Sequence, residues 1–150
     1  MFRTEPQRKY KRTAKTMIHS DLTGAIIGIC IKVHEKLGPG LLESVYEEAI
    51  CYELTKAGIA YKRQQGIPVV YDEVKLDLGF RADIIVEGKV IIEIKSVDAV
   101  TPVFSKTVLT YMKFTNIEVG LLINFNVALL KDGITRLVKT KTDSAAEQGR

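Results

Sequence analysis

The chain of 150 residues is 46% hydrophobic and 27% charged, enough apolar matter to bury one core and too little charge for a disordered polymer. No apolar run reaches the roughly 18 to 20 residues of a membrane span, and no apolar stretch follows the basic N-terminus as in a secretory signal, so a cytoplasmic location is expected. The net charge of +4 is uneven: residues 1–16 set six basic side chains against Glu5, while the remainder carries 16 basic and 17 acidic ones.

The basicity therefore belongs to a tail, which can attract nucleic acid but is more often simply solvated. Residues 1–16 read as a basic disordered tail, 17–139 as a single folded domain, and 140–150 as a polar tail. From Ile18 the apolar residues Leu22, Ala25, Ile26, Ile29, Cys30, Val33 and Leu37 keep helical spacing, with Ser20 or Asp21 as the expected N-cap. Gly38-Pro39-Gly40 stops that helix. A second helix is expected from Leu41 to Ala57, burying Leu42, Val45, Tyr46, Ala49, Ile50 and Leu54 and leaving Glu43, Glu47, Glu48 and Glu53 outside. Cys30 and Cys51 fall inside these apolar stripes and read as reduced core residues. His34, one turn before Gly38, reads as a favourable charge at a helix C-terminus and not as a catalytic group.

After Gly58 the apolar period falls to two. Ile59–Gln64 leads to Ile67–Tyr71, and Lys75–Phe80 runs on into a hairpin over Arg81–Ser96; with turns near Gly66 and Asp72-Glu73 this stretch reads as three to four antiparallel strands. Thr101–Thr115 returns to helical spacing, and the unbroken apolar run Ile117–Phe125 reads as a strand covered on both faces. Leu129-Leu130, a turn at Lys131-Asp132-Gly133 and Ile134–Val138 read as a last small hairpin. The expected order is α-α-β-β-β-β-α-β-β-β, one sheet flanked by helices.

The hairpin carries charges where a buried strand should have none: Asp83, Glu93 and Lys95. Glu93 and Lys95 stand two apart and share a strand face, while Ile92 and Ile94 take the other. Two carboxylates and an amine on one face can hold Mg²⁺ and position an attacking water. That chemistry requires a particular register. A two-residue turn at Glu87-Gly88 would oppose Asp83 to Ile92, whereas a three-residue loop through Lys89 would oppose it to Glu93. The plain alternative is a solvated Glu–Lys ladder. No phosphate-binding glycine loop or zinc-type spacing is present in the sequence.

VHEKLGPGLLESVYEEA with Gly40, Glu43 and Tyr46, RADIIVEGKVIIEIKS with Asp83, Glu93 and Lys95, and GLLINF at Gly120–Phe125 occur in that order. On these segments the chain resembles the GxxExxY family, a branch of the PD-(D/E)xK nuclease superfamily. The resemblance implies an α/β restriction-endonuclease-like core, a central mixed β-sheet flanked by helices. It further implies hydrolysis of nucleic-acid phosphodiesters, DNA foremost, with Mg²⁺ or Mn²⁺ as cofactor. Asp83 and Glu93 would be ligands, Glu43 an additional carboxylate, and Lys95 would orient or activate water; Glu47, one turn from Glu43, could substitute for it or merely be solvated. Thr107 and Tyr111 would lie on the substrate side, and a homodimer is one arrangement such nucleases adopt. The chain departs from the pattern at Thr107, where related nucleases commonly carry glutamine, and at Phe104, where a polar residue is expected. Thr107 and the one-domain length support the rival expectation, a catalytically weakened nuclease fold that binds nucleic acid or a protein partner; hydrolysis of another phosphoester is a third.

Overall fold

Helix α1 runs over Ser20–Leu37 and α2 over Glu43–Lys56; strands follow at β1 Tyr61–Gly66, β2 Val69–Tyr71, β3 Val74–Leu76, β4 Arg81–Val86 and β5 Val90–Lys95. Helix α3 covers Pro102–Thr115, then come β6 Val119–Asn124, a 3₁₀ turn at Leu130–Gly133 and β7 Ile134–Val138. The computed structural model describes residues 18–77 and 79–139, so the tails expected over 1–16 and 140–150 lie outside the described residues.

Five strands form one sheet in the order β1-β4-β5-β6-β7, and β2 with β3 form a separate two-stranded ribbon. Within the large sheet β5 and β6 are parallel and the other neighbours antiparallel. A parallel pair needs a crossover, and α3 supplies it. The expected mixed sheet with flanking helices is present.

Each face of the sheet buries its own apolar cluster. Ile26, Cys30, Tyr46, Ile50 and Leu54 of α1 and α2 pack with Ile92, Ile94, Leu121 and Ile123. Val108, Tyr111 and Met112 of α3 pack with Ile91 and Leu122 on the opposite face. Strand β6, the unbroken apolar run, is accordingly buried at every position. Gly120 lets α3 lie that close: a Cβ there would stand 2.6 Å from Val108 Cγ1 and 2.9 Å from Met112 Sδ.

Several expectations are corrected. Five strands precede α3, not four, because Lys75–Phe80 does not run on as a strand; β3 ends at Leu76 and Gly79 has a φ of 83°. Leu129-Leu130 is not a strand either: Asp132 N–H donates to Leu129 O at 3.0 Å, closing a 3₁₀ turn that buries Leu130. Neither Ser20 nor Asp21 caps α1; His19 is the N-cap with a left-handed φ of 54°, and no side chain caps it. Leu42 is 75% exposed and Val45 40% exposed, while Glu47 is buried, so the inner face of α2 is turned from the expected one. His34 is buried, its Nε2 2.9 Å from Val127 O, so it ties α1 to the loop after β6 and does not cap the helix. Gly38 N–H closes that helix end on His34 O at 2.8 Å. Cys30 and Cys51 are free and buried, as expected of core thiols.

Candidate active site

The β4–β5 connection settles the register. Glu87 and Gly88 have φ of 51° and 64°, and Lys89 N–H donates to Val86 O at 2.9 Å, the geometry of a tight hairpin turn. Val86 nevertheless pairs with Val90, followed by Ile85 with Ile91 and Ile84 with Ile92, so Lys89 belongs to the loop. One step further along, this three-residue register sets Asp83 against Glu93.

At that step carboxylates stand in for backbone carbonyls. Asp83 N–H donates to Glu93 Oε1 at 3.0 Å, and Ile94 N–H donates to Asp83 Oδ2 at 2.8 Å. Glu93 is buried, and burial first, then the charge of Asp83, pushes its carboxyl up to about 8. Burial likewise raises Asp83, against the hydrogen bonds from Ile94 and Gln64 that favour its charged form. Neither acid has a salt-bridge partner among the described residues.

Lys95 follows Glu93 on the same strand face, and its charge favours ionised Glu93. Its Nζ lies 4.6 Å from the centroid of the Phe104 ring on α3. Glu43 is exposed at the first position of α2, and its charge opposes ionisation of both Asp83 and Glu93. Tyr46 holds the turn that delivers Glu43. Its hydroxyl donates to Gly38 O at 2.6 Å and accepts from Leu41 N–H at 3.1 Å, and its ring stacks on Phe125 at 4.4 Å. Ser96 Oγ donates to Leu41 O at 2.6 Å and ties the end of β5 to the same turn.

Tyr111 is buried on α3, its phenol raised by burial first and then by the charges of Glu93 and Asp83, so it belongs to this neighbourhood. Thr107 Oγ1 donates to Val103 O at 3.0 Å, within its own helix. That bond commits the hydroxyl proton to the helix's own backbone.

Two further residues, Arg63 and Gln64, escaped the sequence reading, and they decide the place of Glu47. Gln64 Nε2 donates to Glu47 Oε1 at 2.6 Å and to Asp83 Oδ1 at 3.2 Å. Arg63 Nη2 donates to Glu47 Oε2 at 2.8 Å and to Glu48 Oε1 at 3.1 Å. Glu47 is thus a neutralised, inward member of the cluster and not a solvated helix residue. The signal was the polar run Arg63-Gln64-Gln65 inside a strand.

Among the described residues, no three His, Cys, Asp or Glu side chains come together as a metal-holding group. The donor set still fits a hard cation. Mg²⁺ is usually held by one or two carboxylates, with waters and a substrate phosphate completing the shell. Asp83, half-buried, and Glu93, buried, are two such carboxylates facing each other across β4 and β5, each raised toward protonation first by burial.

A family model described as the PD-(D/E)XK nuclease superfamily matches residues 20–137. No curated protein matches the chain. Among solved structures the chain is similar to the crystal structure of an alkaline exonuclease (LHK-Exo) from Laribacter hongkongensis, with 16% sequence identity and a TM-score of 0.45. The similarity covers 71% of this chain and 60% of that one, so the chain spans under two thirds of the exonuclease's length. No helix among the described residues is long and apolar enough to cross a membrane.

Proposed function

The chain belongs to the PD-(D/E)XK nuclease superfamily, and from that premise we propose that it hydrolyses nucleic-acid phosphodiester bonds, DNA foremost, with a divalent cation. Within the superfamily, Gly40, Glu43 and Tyr46 support assignment to the GxxExxY branch. The observation that carries the reading is the facing of Asp83 and Glu93 across β4 and β5, with Lys95 on the same side of β5.

In this reading Asp83 and Glu93 would hold Mg²⁺ or Mn²⁺, and Glu43 would be the additional carboxylate. When bound, such a cation makes water more nucleophilic and stabilises charge on the reacting phosphate. Lys95 orients the water and offsets charge on the phosphate oxygens. Asp83, fixed by Ile94 N–H, keeps one carboxylate edge directed between the strands. Tyr111 lines the substrate side with its phenol proton retained. Residues 17–139 act as one domain, and a homodimer is the form suited to cutting both strands.

The test is cleavage of DNA and RNA oligonucleotides by the purified full chain with Mg²⁺ or Mn²⁺. Asp83→Ala and Lys95→Ala should each lower cleavage by at least roughly a hundredfold while melting cooperatively. Cleavage that persists in both variants would overturn the assignment.

A second reading, a weakened nuclease fold that binds nucleic acid or a protein, is favoured by Thr107 bonding its own helix and by Lys95 resting on Phe104. Calorimetry with Mn²⁺ separates the two: a folded protein that takes up no Mn²⁺ supports the weakened module.

A further inference from the structure

Strand β1 is interrupted at Gln64, whose φ of 49° lies in the left-handed region. Its neighbours Arg63 and Gln65 pair with Ile84 and Ala82, and the same register sets Gln64 opposite Asp83, where the ladder is broken. A non-glycine residue held in this region costs free energy, and it persists only where surrounding contacts over-determine it. The contacts are made by the side chain. The amide nitrogen of Gln64 carries two hydrogens and reaches two carboxylates, Glu47 Oε1 at 2.6 Å and Asp83 Oδ1 at 3.2 Å. The amide oxygen in that place would face two acids, so the assignment of nitrogen follows from the partners.

We infer that Gln64 is a positioning residue for Asp83, held in a strained backbone so that its amide braces the carboxylate against the Arg63–Glu47 ion pair. Glu47 is the anchor, buried and neutralised by Arg63 Nη2 at 2.8 Å. Gln64 carries that fixed point to Asp83 Oδ1, which leaves Oδ2 on Ile94 N–H. The choice of an amide is chemically specific. A lysine or arginine at this place would orient Asp83 but would also neutralise it, and so compete with a divalent cation. A neutral donor orients the carboxylate and leaves its charge available.

The metal arm of this inference rests on the proposed cation site; the backbone and hydrogen-bond arms do not. The experiment compares the full chain with Gln64→Gly and Gln64→Ala. Both variants remove the amide, but only glycine adopts a φ of 49° without strain. Gln64→Gly should therefore melt above Gln64→Ala, the reverse of the ordinary order in a strand. In metal-free protein the Ile94 amide should exchange roughly tenfold faster in both variants, with Ile123 as an unaffected reference. Mn²⁺ alone should bind roughly tenfold or more weakly to both by calorimetry. A merely structural role would lower melting without changing Ile94 exchange relative to Ile123. Unchanged Ile94 exchange, or an alanine variant melting at or above the glycine one, would overturn the inference. So would Mn²⁺ affinity equal to that of the unsubstituted chain. If the unsubstituted chain takes up no Mn²⁺, the cation reading fails, and Ile94 exchange with the melting order decides the role of Gln64.

Discussion

The Lys95 ammonium lies over the Phe104 ring, 4.6 Å from its centroid, so the cation beside the two acids is held by an aromatic face. Such a contact attracts charge without supplying a counter-charge, and contributes about 0.5–1 kcal/mol at partly exposed sites.

A double-mutant cycle of Lys95→Met with Phe104→Leu, read by urea denaturation, should return a coupling of about 0.5–1 kcal/mol. Additive single effects would mean that the ring does not hold the ammonium.

Burial of Glu93 makes stability depend on pH. Burial pushes its folded carboxyl up to about 8 against an ordinary 4.5, so between those values the folded state holds a proton that the unfolded state has lost. Stability from this group is complete below the lower value and is lost as pH rises through the upper one; Asp83, also raised, acts in the same direction. The metal-free protein should therefore melt at progressively lower temperature from about pH 5 to about pH 8.5, and Glu93→Gln should flatten that decline. Parallel profiles for the two proteins would contradict this account.

Gly120→Ala should cost about 1–3 kcal/mol in urea denaturation, because the new methyl meets Val108 and Met112 where α3 crosses β6. A variant as stable as the parent would mean that α3 can withdraw freely from the sheet.

Tyr46→Phe keeps the stack on Phe125 but deprives Gly38 O and Leu41 N–H of their partner. A loss of roughly 1–3 kcal/mol is expected. Mn²⁺ affinity should fall with it, since this turn delivers Glu43; unchanged affinity would detach Glu43 from the site.

Helices α1, α2 and α3 and the buried strand β6 were legible because their apolar periods are long and end at strong breakers such as Gly38-Pro39-Gly40. Asp83, Glu93 and Lys95 stood out for a related reason, as charges in an apolar hairpin. Whether they met was not legible. Glu87-Gly88 suits a two-residue turn by local chemistry, and only the pairing of Val86 with Val90 puts Lys89 into the loop. Glu47 could be read either as a stand-in for Glu43 or as solvated, because its partners, Arg63 and Gln64, come from a strand after the helix. Phe104 was visible as a departure from the expected pattern, but its place over Lys95 depends on how α3 lies across the sheet.

Strand β1 is an outer strand of the five-stranded sheet, and outer strands offer unpaired backbone groups to other chains. The left-handed residue at its centre breaks the flat row of donors and acceptors that a further strand would need. The kink at Gln64 therefore also makes the outer edge of β1 a poor template for a further strand.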